Sequence, residues 1–142
     1  MKALLTFVLL SFSAMSADAC MDLQGAFYDD DSESVRTIVQ DGCLSTTWSD
    51  ADGSTTLIAD GNERVLEQEG KMVAYATTYF NSTEFIIDIR MDYGGSNEYE
   101  LPTRFLTAYK IDKYNNLVER IEPFKADGTQ LATEYITFRR VK

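Results

Sequence analysis

Two consecutive stretches alternate so regularly that they leave little choice of fold. Phe85, Ile87, Ile89, Met91 and Tyr93 share one parity, while Glu84, Asp88, Arg90 and Asp92 share the other. Leu101, Thr103, Phe105, Thr107, Tyr109 and Ile111 then oppose Arg104, Ala108 and Lys110. A period of two is the pattern of antiparallel strands with one buried and one wet face. Pro102 stands near the start of the second run, where a missing N–H is tolerated. Stretches 35–39, 55–58, 72–80, 117–121 and 131–138 are also rich in β-branched and aromatic residues, and none carries a helical stripe over three turns.

The breaks between these runs carry turn chemistry. Ala51-Asp52-Gly53, Ala59-Asp60-Gly61 and Ala126-Asp127-Gly128 each set Asp-Gly between strand candidates, a short-range hairpin signal. Asp41-Gly42, Glu69-Gly70, Gly94-Gly95 and Asn115-Asn116 punctuate the rest. Short strands joined by tight turns have to bury one face and protect their edges, and closure into a barrel does both. The expected fold is therefore all-β: an antiparallel up-and-down meander of roughly eight to ten strands closed into a small β-barrel, enclosing packed side chains or one small ligand.

At the N-terminus, Lys2 precedes an apolar run over 3–12, and small residues follow up to Ala17-Asp18-Ala19. A basic start, a short apolar core and an A-x-A end describe a secretory signal peptide. The run is shorter than the roughly 20 residues that a spanning helix needs. Residues 1–19 are thus expected to be a leader, and 20–142 one domain that is periplasmic or extracellular. In an oxidising compartment Cys20 and Cys43 are expected to pair. The alternative is a lipid anchor on Cys20, as in an outer-membrane lipoprotein; the charged Asp18 and the lack of a Leu three residues before the Cys weigh against it. With 23 acidic against 13 basic side chains the net charge is −10, and no basic cluster stands out. Nucleic acid and anionic lipid are poor partners for such a surface, whereas a basic protein is electrostatically suited.

Leu23-Gln24-Gly25-Ala26-Phe27-Tyr28 resembles the G-x-W first strand of lipocalin-like (calycin) β-barrels, with Phe27 where that superfamily has Trp. The superfamily closes its barrel with a late basic residue packed over that aromatic, and Arg139 or Arg140 is similarly placed. Gly25, Phe27 and Arg139 form the closure that this resemblance implies. It also implies a cup-shaped barrel that holds a small apolar molecule.

Enzyme chemistry is poorly supplied. The chain has no His, so the usual general acid–base group and the commonest metal ligand are missing. No nucleophile elbow, phosphate loop or dinucleotide fingerprint occurs. Asp29-Asp30-Asp31-Ser32-Glu33 lacks EF-hand spacing and reads as a solvated turn. Asn81-Ser82-Thr83 is a formal glycosylation sequon or a hairpin tip. The run 72–80 is apolar or aromatic on both faces, which suits either barrel packing or an interior lined by Tyr and Thr. The expectation is a non-enzyme without metal or cofactor: an exported binding protein whose small hydrophobic ligand contacts Phe85, Ile87, Phe105, Thr107 and Tyr109. Two alternatives stand beside it. One is an acidic interaction module, such as an inhibitor of a basic secreted hydrolase; the other is a structural envelope component.

Overall fold

A computed structural model describes residues 19–95, 97 and 99–142; the expected leader lies outside them except for its last residue, Ala19. Ten strands follow one another: β1 (Gly25–Asp29), β2 (Ser34–Asp41), β3 (Ser45–Asp50), β4 (Gly53–Ile58), β5 (Glu63–Glu69), β6 (Met72–Phe80), β7 (Phe85–Asp92), β8 (Arg104–Ile111), β9 (Leu117–Phe124) and β10 (Glu134–Arg140). All pairings are antiparallel, and the described residues contain no helix. The spatial order is β4-β3-β2-β1-β10-β9-β8-β7-β6-β5. First and last strands therefore meet in the middle of the sheet, with Phe27 opposite Arg140 and Tyr28 opposite Arg139.

The meander is as expected, but the closure is not. The sheet curls into an open half-barrel whose free edges are β4 and β5. Asp60-Gly61 does not make a hairpin, for an identifiable reason. The Asp60 carboxylate accepts both Arg64 Nη atoms at 2.7 Å and the Asn62 amide at 3.0 Å, so the turn is satisfied within itself. Gly61 N–H donates to Thr78 O and Thr78 Oγ1 to Ile58 O, which ties the end of β4 to β6 and lets β5 diverge. A register shift between Val65 and Glu67 breaks the β5 ladder, and Glu63, Arg64, Glu67 and Glu69 charge that edge. Bulges and charges are the ordinary protection of an unpaired edge.

One end of the half-barrel is solid. Leu23, Phe27, Ile38 and Leu117 are fully buried there, with Phe138 beside them. The segment before β1 lies against this base. Gln40 bolts it in place: its Oε1 accepts the Leu23 amide at 2.9 Å, and its Nε2 donates to Met21 O at 3.0 Å and Gly42 O at 2.9 Å. Cys20 and Cys43 are disulfide-bonded across the same contact, the pairing expected from the sequence.

Outward residues carry the charge. Arg104 grips Asp88 with two nitrogens, and Arg90 grips Glu63 in the same way. The doubly apolar β6 resolves into Ala74, Ala76 and Thr78 buried on one face, with Tyr75 and Tyr79 on the other. Arg90 lies 4.1 Å above the Tyr75 ring, so the tyrosines of this strand pack outside, while its small residues and Phe80, packed on Phe85, face in. The acidic turn is self-satisfied: Asp29 accepts the Asp31 amide and the Ser32 hydroxyl, and Asp30 pairs with Arg139. Asn81 likewise accepts the Thr83 and Glu84 amides through Oδ1.

Candidate functional site: the hollow above the core

The inner residues of β3, β7 and β8 decide how much of the half-barrel is filled. Trp48, on β3, reaches across to β8, where its ring stands 4.6 Å from that of Tyr109; the Phe85 ring is 6.3 Å away. The Trp48 indole N–H is satisfied by Thr46 Oγ1 at 2.7 Å. These rings floor the cup. Below them the core is packed; above them the concave face of β7, β8 and β9 encloses a hollow of about 370 Å³. Its wall is Ile87, Ile89, Phe105, Thr107, Ile121 and Pro123, with Tyr109, Glu119 and Glu134 as the hydrogen-bonding groups. Tyr109 also borders a wider opening of about 620 Å³ that runs past Arg36 and Trp48 to the β3–β4 turn. Tyr109 is the residue that lines both spaces.

Register explains the assembly. Ile87 faces Thr107, and Thr107 faces Ile121, so three neighbouring strands each contribute an inner residue to one belt. One step along, Ile89, Phe105 and Pro123 form a second belt. Pro123 lies beyond the last β9–β10 pair, Ile121 with Glu134, so its missing N–H breaks no bond of that ladder, and its carbonyl accepts the Leu131 amide at 2.8 Å.

Of the residues expected to touch a ligand, Ile87, Phe105, Thr107 and Tyr109 line this hollow together. Phe85 does not. It is fully buried under Trp48 and 4.8 Å from Phe80, and belongs to the packed base. The expected closure is also redistributed. Arg140, not Arg139, covers Phe27, its guanidinium carbon 4.7 Å from the ring centroid. It donates from Nε to Asn115 O and from Nη1 to Gln24 O, both at 3.0 Å. Arg139 has the opposite parity and points outward, over Tyr28 and onto Asp30. Gly25 lies beneath Arg140 at a φ of 154°, which other residues rarely adopt, and a Cβ there would also push the Arg140 guanidinium aside.

Arg36 and Glu119 escape a reading based on alternation, since both are charges on the inner face. Ile38 is buried and sets the phase of β2, so Arg36, two residues earlier, shares its face. The only sequence signal is that parity. Glu119 accepts the Tyr109 hydroxyl at 2.6 Å.

The Tyr109 phenol is pushed well above its ordinary value, first by burial and then by the Glu119 charge and hydrogen bond. The sign of the consequence is fixed. An unfolded chain ionises this tyrosine near pH 10, whereas the folded one holds the proton. Its contribution is complete below that pH and is lost as the pH rises through the higher folded value. We expect one of the eight tyrosines to ionise only as the sheet melts, read by tyrosinate absorbance alongside circular dichroism. The same step should vanish in Tyr109→Phe; a step that persists there belongs to another tyrosine.

Comparison with protein-family models, curated proteins and solved structures finds no significant match to this chain. Among the described residues no cluster of three or more His, Cys, Asp or Glu is arranged to hold a metal ion, and no helix is long and apolar enough to cross a membrane.

Proposed function

We propose that this protein is an exported carrier that takes a small, largely apolar ligand into the hollow above its aromatic floor. The observation that carries the reading is the hollow itself: about 370 Å³ of concave space with an aliphatic and aromatic wall and few polar groups. Small-molecule sites usually span about 300–1,000 Å³ with that composition. Two features support it. The Arg140–Phe27 stack is the kind of basic-on-aromatic contact that the resemblance of the first strand to lipocalin-like barrels leads one to expect. The disulfide suits an oxidising compartment outside the cytosol.

The test is uptake of a neutral, environment-sensitive naphthylamine dye by the disulfide-bonded protein. Ile121 is only half-buried and lines the hollow, so Ile121→Trp fills the space without invading the packed base. We expect the wild type to bind the dye, and Ile121→Trp to lose binding while its melting temperature stays close to that of wild type. A wild type that takes up no dye would reject the carrier in favour of the acidic interaction module. A variant that binds as well as wild type would move the site elsewhere.

A further inference from the structure

The arginines of this chain are accounted for with one exception. Arg64, Arg90, Arg104, Arg120 and Arg139 each reach a carboxylate. Arg140 donates to two backbone carbonyls. Arg36 alone among the described arginines has neither a carboxylate nor any other hydrogen-bond acceptor in the protein. In a chain with 23 acidic side chains against 13 basic ones, acceptors are not scarce. Asp50 and Asp52 line the same opening as Arg36, yet Arg36 pairs with neither. It is half-buried on the inner face of β2 and lines the opening beside Trp48 and Tyr109. Its guanidinium carbon lies 4.9 Å from the Phe138 ring centroid and 5.8 Å from that of Trp48.

Ring faces hold a cation in place without using its N–H donors. A guanidinium has five such donors in a planar fork matched to a carboxylate. Arg36 is thus oriented by Phe138 and Trp48 with its donors unspent, in the opening that shares Tyr109 with the apolar hollow. Four carboxylates border these spaces: Asp50, whose Oδ1 accepts the Asp52 and Gly53 amides, and the exposed Asp52 line the same opening as Arg36, while Glu119 is engaged by the Tyr109 hydroxyl and Glu134 is exposed at the far wall; none of them forms an ion pair with Arg36.

We infer that the ligand is an anion-headed amphiphile, its carboxylate or sulfonate bound by the Arg36 guanidinium and its apolar body laid against Ile87, Ile89, Phe105 and Ile121. This rests on the carrier reading above and adds the charge and orientation of the guest. The net charge of −10 acts against an anion at long range. That repulsion is screened over about 8–10 Å at ordinary ionic strength, whereas the Arg36 contact is made within the cup.

The experiment is competition against the bound naphthylamine dye by three ten-carbon probes: decanoate, decanol and decyltrimethylammonium. In wild type, decanoate is expected to displace the dye at least about tenfold more tightly than decanol, as a charge-assisted fork predicts. Arg36→Met keeps an apolar stem on the two rings and removes the fork; decanoate and decanol should then compete equally, with decanol unchanged. Should Arg36→Met fail to fold, wild type answers by itself. The Arg36 side-chain N–H resonances should shift with decanoate and stay still with decanol. Absence of dye uptake rejects the carrier itself. Uptake with equal competition by decanoate and decanol, tighter competition by the ammonium probe, or a preference that survives Arg36→Met overturns the anion inference and leaves the carrier standing.

Discussion

Phe27→Ala is expected to cost about 3–5 kcal/mol, enough to lower the melting temperature by roughly 10–20 °C in a domain of this size. Phe27 is fully buried among Leu23, Ile38, Leu117 and Phe138. It stands where β1 joins the two halves of the sheet, opposite Arg36 on one side and Arg140 on the other. Truncation empties the base of the cup and leaves the Arg140 guanidinium without the ring it covers. The two arginines provide an internal comparison. Arg139→Ala removes an exposed pair with Asp30, and such pairs are worth roughly 0–1 kcal/mol. Arg140→Ala removes the cover of Phe27 and two hydrogen bonds to Asn115 O and Gln24 O, and should cost more. Urea unfolding followed by the single Trp48 measures all three. A Phe27→Ala loss near 1 kcal/mol, or equal losses for the two arginines, would contradict this account of the base.

Where alternation was legible, it was legible for a physical reason. On β7 and β8 the inner parity meets the hollow and core, while the outer parity is held by the Asp88–Arg104 and Glu63–Arg90 pairs. Both faces thus have a chemical identity, and the pattern follows. β3 carries Trp48 as its single large apolar side chain, and its outward Thr47 hydroxyl pairs with that of Thr56, so it does not read as a strand in isolation. β5 is exposed along its whole length and bulged near Leu66, which removes both the buried face and the period of two. The open seam was illegible for a different reason. Asp60-Gly61 has the composition of a hairpin turn, and only the bidentate Arg64–Asp60 pair and the Thr78–Ile58 bond show that the chain turns without pairing its flanks. Arg36 illustrates the same limit at the site: a charge on an inner face is visible only after the phase of its strand is known.

The disulfide is expected to contribute roughly 3 kcal/mol, since it closes a loop with a sequence separation of 23, and its loss should be selective rather than global. The reason lies in what it anchors. The ten-strand ladder and the packed base do not pass through Cys20 or Cys43, so the sheet has its own source of stability. The segment ahead of β1 has much less: the burial of Leu23, the packing of Met21 and the bonds made by Gln40. A segment outside the sheet that is held by so few contacts opens readily without a covalent tie. In a Cys20→Ser, Cys43→Ser double variant the Leu23 amide, which donates to Gln40 Oε1, should lose its protection from hydrogen exchange, while the amides of β7 and β8 keep theirs. Gln40→Ala with the disulfide intact should expose the Leu23 amide to a lesser degree, because the bolt is gone but the tether remains. Dye uptake should persist in both variants, since the hollow lies on the far side of the Trp48–Tyr109 floor from this segment. Global unfolding of the double variant would mean that the base depends on the tether, and unchanged Leu23 protection would mean that Gln40 and burial suffice without it.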